Sequence, residues 1–186
     1  MDIISRSYKT QLVMRRKNLD NLPDINIPAG FTIRDFLDGD EGAWNAMVGD
    51  MCKEGFDQAI RNHRFFKPER VKMICYNGSP VSSTIAWGDE GGDETLGMVH
   101  MVATNLYFRG KGLGFCAVTA ALRQMKAEGK TAAYLTTDDW RLPAIKIYLK
   151  LGFEPDLTQE GHTERWENLY KILNKTTGMT KPGYEI

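Results

Sequence analysis

Residues 109–115, Arg-Gly-Lys-Gly-Leu-Gly-Phe (RGKGLGF), hold three glycines at alternate positions and two cations. Glycine loses more backbone freedom on folding than other residues, so this spacing indicates that something must come close to the backbone. An apolar segment typical of a buried strand, 97–104, precedes the stretch, and a helical pattern, 113–128, follows it. The sequence therefore predicts a strand-to-helix junction whose free helix N–H groups attract an anion.

Two well-known phosphate loops do not fit this stretch. A dinucleotide-binding Gly-x-Gly-x-x-Gly that starts at Gly110 needs a third glycine where Phe115 stands. A nucleoside-triphosphate loop needs Ser or Thr after Gly-Lys, and Gly112 is there instead. A nicotinamide-dependent oxidoreductase is thus disfavoured, although tight NADH binding would revive it. A glycine-rich connection that binds nothing remains an alternative.

The chain around this junction predicts alternating strands and helices in one domain. The pair Asn77-Gly78 is a hairpin signal between two apolar runs. Such an order places helices against a mixed sheet, which is an α/β (α+β) fold. We predict strands near 11–14, 31–36, 71–76, 81–87, 97–104 and 132–137, helices over 43–51, part of 56–66, 113–128, 143–150 and 163–173, and an extended segment at 154–157.

A second motif lies about thirty residues after the glycine loop. Residues 144–153, Ala-Ile-Lys-Ile-Tyr-Leu-Lys-Leu-Gly-Phe, follow Arg109-x-x-Gly112-x-Gly114 in the order and at the separation seen in the GNAT N-acetyltransferase superfamily, which the chain resembles. The resemblance implies a GNAT fold, a mixed and mostly antiparallel central sheet flanked by helices. We expect residues 1–29 to be an N-terminal lead-in packed on a single GNAT domain at 30–186.

The resemblance also implies acetyl-CoA as co-substrate and no metal. The strand before the loop would bind pantetheine through its backbone, at Val102 and Thr104. The second motif usually opens with Asn where this chain has Arg141, a cation that reaches a CoA phosphate or is solvated without a role. The loop that would hold the pyrophosphate consists of Arg109, Gly110, Lys111, Gly112, Leu113, Gly114 and Phe115.

Two residues are candidates for proton transfer. Tyr148 aligns with the general acid of the family, and a phenol with a pKa near 10 can protonate a departing thiolate. His100 resembles the base of arylalkylamine N-acetyltransferases, and its two-residue separation predicts that it shares a strand face with Val102. The alternatives are that Tyr148 only packs its helix on the sheet and that His100 is a core histidine.

Several other features have two interpretations. The acidic turn 89–94 is either a solvated hairpin tip, which we favour, or an attractant for a cationic amine. The apolar face of helix 163–173 is a core face or part of an acceptor pocket. Cys116 is expected to be a small buried apolar residue rather than a nucleophile. His63 and His162 stand in polar surroundings and are expected at the surface.

Composition limits the class of function. Lys plus Arg and Asp plus Glu number 24 each, so the net charge is zero, which disfavours a nucleic-acid binder with a broad basic surface. Three scattered cysteines and no apolar run of membrane length favour a reduced, cytoplasmic, non-membrane protein. We expect acetyl transfer to a primary amine on a small molecule. The alternatives are a protein lysine or N-terminus as acceptor, and a non-catalytic acyl-CoA sensor; the oligomeric state stays open.

Overall fold

The structure, a computed structural model, describes residues 10–177. This range contains seven strands and four helices of eight residues or more, joined by four short helical turns. The strands are β1 Leu12–Arg16, β2 Phe31–Asp35, β3 Val71–Tyr76, β4 Ser79–Gly88, β5 Leu96–Thr104, β6 Ala132–Thr137 and β7 Glu154–Pro155. The helices are α1 Glu41–Val48, α2 Leu113–Ala127, α3 Leu142–Lys150 and α4 His162–Thr177, and the turns are Gly49–Met51, Asp57–Arg61, Pro68–Arg70 and Leu106–Phe108.

The strands form one mixed sheet in the order β2-β3-β4-β5-β6-β1-β7. Neighbouring strands are antiparallel except β5 and β6, which are parallel. The predicted α/β fold with a mostly antiparallel sheet is therefore confirmed. The strand predicted near 11–14 is present as β1, which pairs with β6 on one side and β7 on the other.

Each sheet face has its own apolar core. One face is covered by α1 and the turn Asp57–Arg61, where Trp44, Ile60 and Phe56, the residue before the turn, are fully buried. The other face is covered by α2, α3 and α4. The apolar face predicted for the last helix is core: Trp166, Leu169, Tyr170 and Leu173 are all buried in that second layer.

Some sequence-based expectations need correction. His162 is fully buried rather than at the surface, and its Nδ1 lies 3.1 Å from the carbonyl oxygen of Asp156. Within 56–66, where part of the segment was predicted to be helical, the structure has the five-residue helical turn Asp57–Arg61. Cys116 is buried, as predicted.

Candidate active site

A gap between the two parallel strands creates the site. β5 and β6 pair only from Leu96 to Met98, opposite Ala132 to Tyr134. Beyond Met98 no pairing joins the strands, although β5 continues to Thr104 and β6 to Thr137. An unpaired strand edge presents free N–H and C=O groups, so this part of β5 can bind an extended ligand through its backbone.

The backbone direction at the end of β5 can be read from one hydrogen bond. The N–H of Asn105 donates to the carbonyl oxygen of Val81, towards β4. Successive N–H groups along a strand point to opposite sides, so the N–H of Thr104 points towards the gap. The Thr104 carbonyl accepts a 3.3 Å bond from Arg109 Nε, and the arginine lies at that open edge. The backbone N–H of Thr104 is therefore oriented as its predicted contact with a ligand in the gap requires.

The glycine loop forms the expected strand-to-helix junction. Gly110 and Gly112 have φ of 78° and 79°, the left-handed region that favours glycine, and a Cβ at either would meet nothing within 4 Å. The third glycine has a different reason, because a Cβ at Gly114 would lie 3.1 Å from Ile147 Cδ1 of α3. The first two glycines thus shape the turn, and the third lets α2 approach α3.

The junction is arranged to receive an anion. The N–H groups of residues 110–114 donate to no acceptor within the described chain, 10–177. They surround the N-terminus of α2, a helix of 15 residues, where free N–H groups and the helix dipole favour negative charge. Arg109, Gly110, Lys111 and Gly112 are exposed, whereas Leu113 is buried and Phe115 packs partly against the core. Leu113 and Phe115 can thus contribute only their backbone to a bound phosphate.

A cavity of about 180 Å³ lies in the gap and brings four predicted site residues together: His100, Val102, Arg141 and Tyr148. Thr104 and the glycine loop are outside its lining. The remaining wall comes from β5 and β6, from the residue before β1 and from the turn after α1. Those residues are Gln11, Met51, Met98, Val99, Met101, Thr136 and Thr137.

Tyr148 is the buried phenol of this cavity. Its ring packs in an edge-on arrangement against Phe153, 6.1 Å between centroids, so the packing role considered from the sequence is real. The residue lines the cavity together with Arg141. Burial raises the pKa of Tyr148, and although the Arg141 charge lowers it, the result is about 12. The phenol therefore stays protonated at neutral pH.

His100 and Val102 lie on opposite faces of the sheet, contrary to the sequence-based expectation. Met101, between them, has φ of 48°, and it stands with Val102 opposite Thr84 in a β-bulge. Val102 consequently packs with the α2–α3 core, whereas the His100 ring lies 5.4 Å from the Trp87 ring on the α1 side. Burial lowers the pKa of His100 to about 4, so the imidazole is neutral at pH 7.

A polar cluster beside His100 was not anticipated. The turn 89–94 is exposed, but Glu90 folds back and accepts a 3.2 Å bond from Trp87 Nε1. His63 Nε2 lies 3.3 Å from the same oxygen, and the His63 ring lies 4.8 Å from the Trp87 ring. The Trp87 ring thus contacts both histidine rings. Only the acidic composition of the turn was visible in the sequence.

Arg141 also lines the cavity. Its Nε lies 2.9 Å from Asp138 Oδ2, and its guanidinium lies 4.8 Å from the Trp140 ring centroid. Its Nη1 lies 3.1 Å from the Met51 sulfur. The side chain therefore leaves the N-terminus of α3 and reaches a residue that follows α1, on the opposite face of the sheet.

Comparison with known proteins agrees with this geometry. Residues 40–153 match the acetyltransferase (GNAT) family. The mycothiol acetyltransferase of Streptomyces coelicolor is 26% identical over 157 residues, covering 77% of this chain and 50% of the relative. That of Thermomonospora curvata is 29% identical over 153 residues, covering 76% and 50%. The chain spans about half the length of these curated relatives.

Solved structures show the same fold. A GCN5-related N-acetyltransferase from Kribbella flavida superposes with a TM-score of 0.59 at 27% identity, covering 80% of this chain and 55% of that one. A GNAT-family acetyltransferase from Elizabethkingia anophelis, solved with acetyl-CoA bound, has a TM-score of 0.55 at 16% identity, covering 68% and 78%. The split sheet and glycine loop place the chain in the acyltransferase class. It belongs to the acetyltransferase (GNAT) family.

Two further findings concern residues 10–177. No group of three or more His, Cys, Asp or Glu side chains in this range is arranged to hold a metal ion. None of the helices described there is both long enough and apolar enough to cross a membrane.

Proposed function

We propose that the protein transfers an acetyl group from acetyl-CoA to a primary amine of a small molecule by direct attack in a ternary complex. The observation that carries this proposal is the gap between β5 and β6, which joins an anion-binding helix N-terminus to a cavity lined by a protonated phenol. The residues present fit acetyl-CoA, because the free N–H groups of 110–114 suit a pyrophosphate and the open edge of β5 suits an extended amide chain.

Two strand positions would hold the thioester arm. The Thr104 N–H, directed into the gap, suits a pantetheine carbonyl, and Val102 lines the cavity within the bulge. A backbone N–H near the reacting carbonyl stabilises the oxyanion that develops there, and loss of one such donor costs about 2.7–4 kcal/mol. Arg109 and Lys111 would add charge at the pyrophosphate end of the same groove.

The transfer step needs one proton donor and one proton acceptor. The amine nitrogen forms a bond to the carbonyl carbon, the carbon–sulfur bond breaks, and the thiolate takes the Tyr148 proton. A lysine-like ammonium has a pKa of about 10.4, so the free amine costs roughly 4–5 kcal/mol at pH 7. Neutral His100, directly or through water, accepts the proton that the amine gives up. Its low pKa makes it a weak base, so the acceptor's own ionisation dominates the pH dependence.

A small-molecule acceptor is favoured by the size and position of the cavity. A cavity of about 180 Å³ between β5, β6 and the ends of α1 and α3 suits an amine on a compact body. The curated relatives carry names that refer to a small molecule, mycothiol. A lysine side chain of another protein remains the second candidate acceptor, since its amine also sits on a narrow stem.

The test is CoA thiol release from acetyl-CoA with a panel of amines, namely amino acids, polyamines, arylalkylamines, aminoglycosides and lysine peptides. We expect release above the acetyl-CoA-only background with small amines, and mass spectrometry should show one added acetyl group on the amine. Release only with peptides would move the acceptor to protein lysines. Tight acetyl-CoA binding with no release from any amine would support a non-catalytic sensor.

A further inference from the structure

The Arg141 guanidinium is fixed in place but incompletely satisfied. Asp138 Oδ2 lies 2.9 Å from Nε as an ion pair without the alignment of a hydrogen bond, and the Trp140 ring packs against the guanidinium face at 4.8 Å. Gln11 Nε2 donates to the other Asp138 oxygen at 3.3 Å, which steadies the carboxylate. The remaining described contact is from Nη1 to the Met51 sulfur, and a thioether is a weak acceptor. The edge formed by Nη1 and Nη2 thus lacks an oxygen partner.

This arginine carries the positive charge of the cavity wall. The lining contains no Asp or Glu, and its other basic residue is His100, whose burial keeps it neutral. Thr137 adds a second unsatisfied group, because its residue is 2% exposed and its Oγ1 has no hydrogen-bond partner. A guanidinium edge and a buried hydroxyl that line one small cavity together suit an oxyanion.

The position of the guanidinium separates it from the glycine loop. Gly112 begins α2, which covers the same face of the sheet as α3. Arg141 starts at α3 but contacts Met51, which follows α1 on the other face. A pyrophosphate at the N-terminus of α2 would lie on the first face. An anion at the Nη edge of Arg141 would lie in the cavity that Tyr148 also lines.

We propose that Arg141 binds a carboxylate of the acceptor, so that the substrate is an amino acid or another amine that carries a carboxylate. One guanidinium edge matches one carboxylate through two parallel hydrogen bonds. A phosphate dianion would need more positive charge than this wall supplies. The inference rests on the proposed function, since it names the acceptor class for the same cavity.

The experiment compares matched acceptors with the wild-type protein and two variants. Amino acids of different side-chain size, such as L-alanine, L-phenylalanine and L-glutamate, are each assayed beside their α-carboxamide. Each kcat/KM is corrected for the fraction of free amine, because the amide has the lower amine pKa. We expect the wild type to prefer the free acid by about 10- to 100-fold, the range of charge-assisted hydrogen bonds.

The Arg141→Gln variant should bring that preference close to one, and Arg141→Lys, which keeps the charge but loses the planar fork, should give an intermediate ratio. Thermal melting checks that both variants are folded. Equal use of acid and amide by the wild type would overturn the inference while leaving the acetyl transfer intact. A rise in the acetyl-CoA Kd of Arg141→Gln, with an unchanged acid preference, would assign Arg141 to the cofactor and also overturn it.

A binding measurement covers the case in which no amine is acetylated. Calorimetry on the CoA-loaded protein compares N-acetyl-L-phenylalanine with its carboxamide. Tighter binding of the acid that is lost in Arg141→Gln would support the carboxylate site although the transfer proposal has failed. Equal binding of both compounds would refute the carboxylate site independently of turnover.

Discussion

His100 and Val102, two residues apart on β5, lie on opposite faces of the sheet because Met101 between them has φ of 48°. The bulge leaves Val102 with the α2–α3 core and turns His100 to the Trp87 ring. One extra residue in the strand therefore puts the imidazole on the side of α1 and of the acidic turn. The site therefore combines the strand at Val102, next to the α2–α3 core, with the His100 imidazole on the α1 side of the sheet.

The pH dependence of activity should reflect the acceptor rather than His100. Burial lowers the pKa of His100 to about 4, so the imidazole is neutral from pH 5 upwards. We expect kcat/KM to rise with pH until the acceptor amine is deprotonated, and the midpoint to move when acceptors of different pKa are compared. His100→Gln should lower kcat about tenfold, because a weak base contributes less than the typical 100-fold or more. A fixed midpoint near pH 6.5 for all acceptors would show that His100 titrates normally.

His100 should also make stability depend on pH. Its pKa is lower in the folded than in the unfolded chain, where about 6.5 is expected, so the unfolded state binds more protons between pH 6.5 and 4. Stability is full above pH 6.5 and falls as the pH drops towards 4, by on the order of 3 kcal/mol. Urea unfolding at several pH values across this range should show that the free energy of unfolding declines. The decline should be smaller in His100→Gln. Glu90 raises the pKa of His100, so Glu90→Gln serves as the comparison.

Tyr148→Phe separates catalysis from packing. The substitution removes only the hydroxyl, and the ring still packs on Phe153. We expect kcat to fall by about 100- to 10,000-fold, the usual contribution of a general acid, with the melting temperature and acetyl-CoA Kd little changed. Stopped-flow thiol release and calorimetry measure these two quantities. Normal turnover in the variant would remove Tyr148 from the reaction.

Two matched glycines test the anion loop. Gly112 and Gly129 stand beyond opposite ends of α2, with φ of 79° and 82°, and a Cβ at either would meet nothing within 4 Å. Alanine at either position should therefore cost a similar 1–3 kcal/mol in backbone strain. Only Gly112→Ala should raise the acetyl-CoA Kd, by about tenfold or more, because it distorts the turn that presents the free N–H groups. Equal effects of both variants on the Kd would indicate a general loss of stability.

The sequence predicted most of the framework because its signals are local. The strands 71–76 and 132–137 have the predicted limits, and helix 113–128 ends one residue early in the structure. Alternating apolar residues, the Asn77-Gly78 turn and the glycine loop all act within a few residues. The resemblance to the GNAT superfamily is confirmed by the family match and supplied the arrangement of the sheet.

What the sequence did not predict depends on contacts between distant residues. A bulge of one residue is visible only in the pairing with the neighbouring strand, which the sequence of β5 does not show. His100 and Val102 were therefore assigned to the same face of the sheet, which is wrong. His162 was placed at the surface because its sequence neighbours are polar, whereas it is fully buried. The contact of Arg141 with Met51 joins two turns ninety residues apart, and no local pattern reports it.

The position of β1 has a consequence for how the chain is made. β1 pairs with β6, where Leu12 lies opposite Thr137, and with β7 on its other side. Its backbone partners therefore leave the ribosome only after most of the chain has been synthesised, and such non-local pairing is slow to form. Until then Leu12 and Met14, which are buried in the folded protein, lie on an unpaired strand. The ribosome thus has to release nearly the whole domain before its first strand is protected.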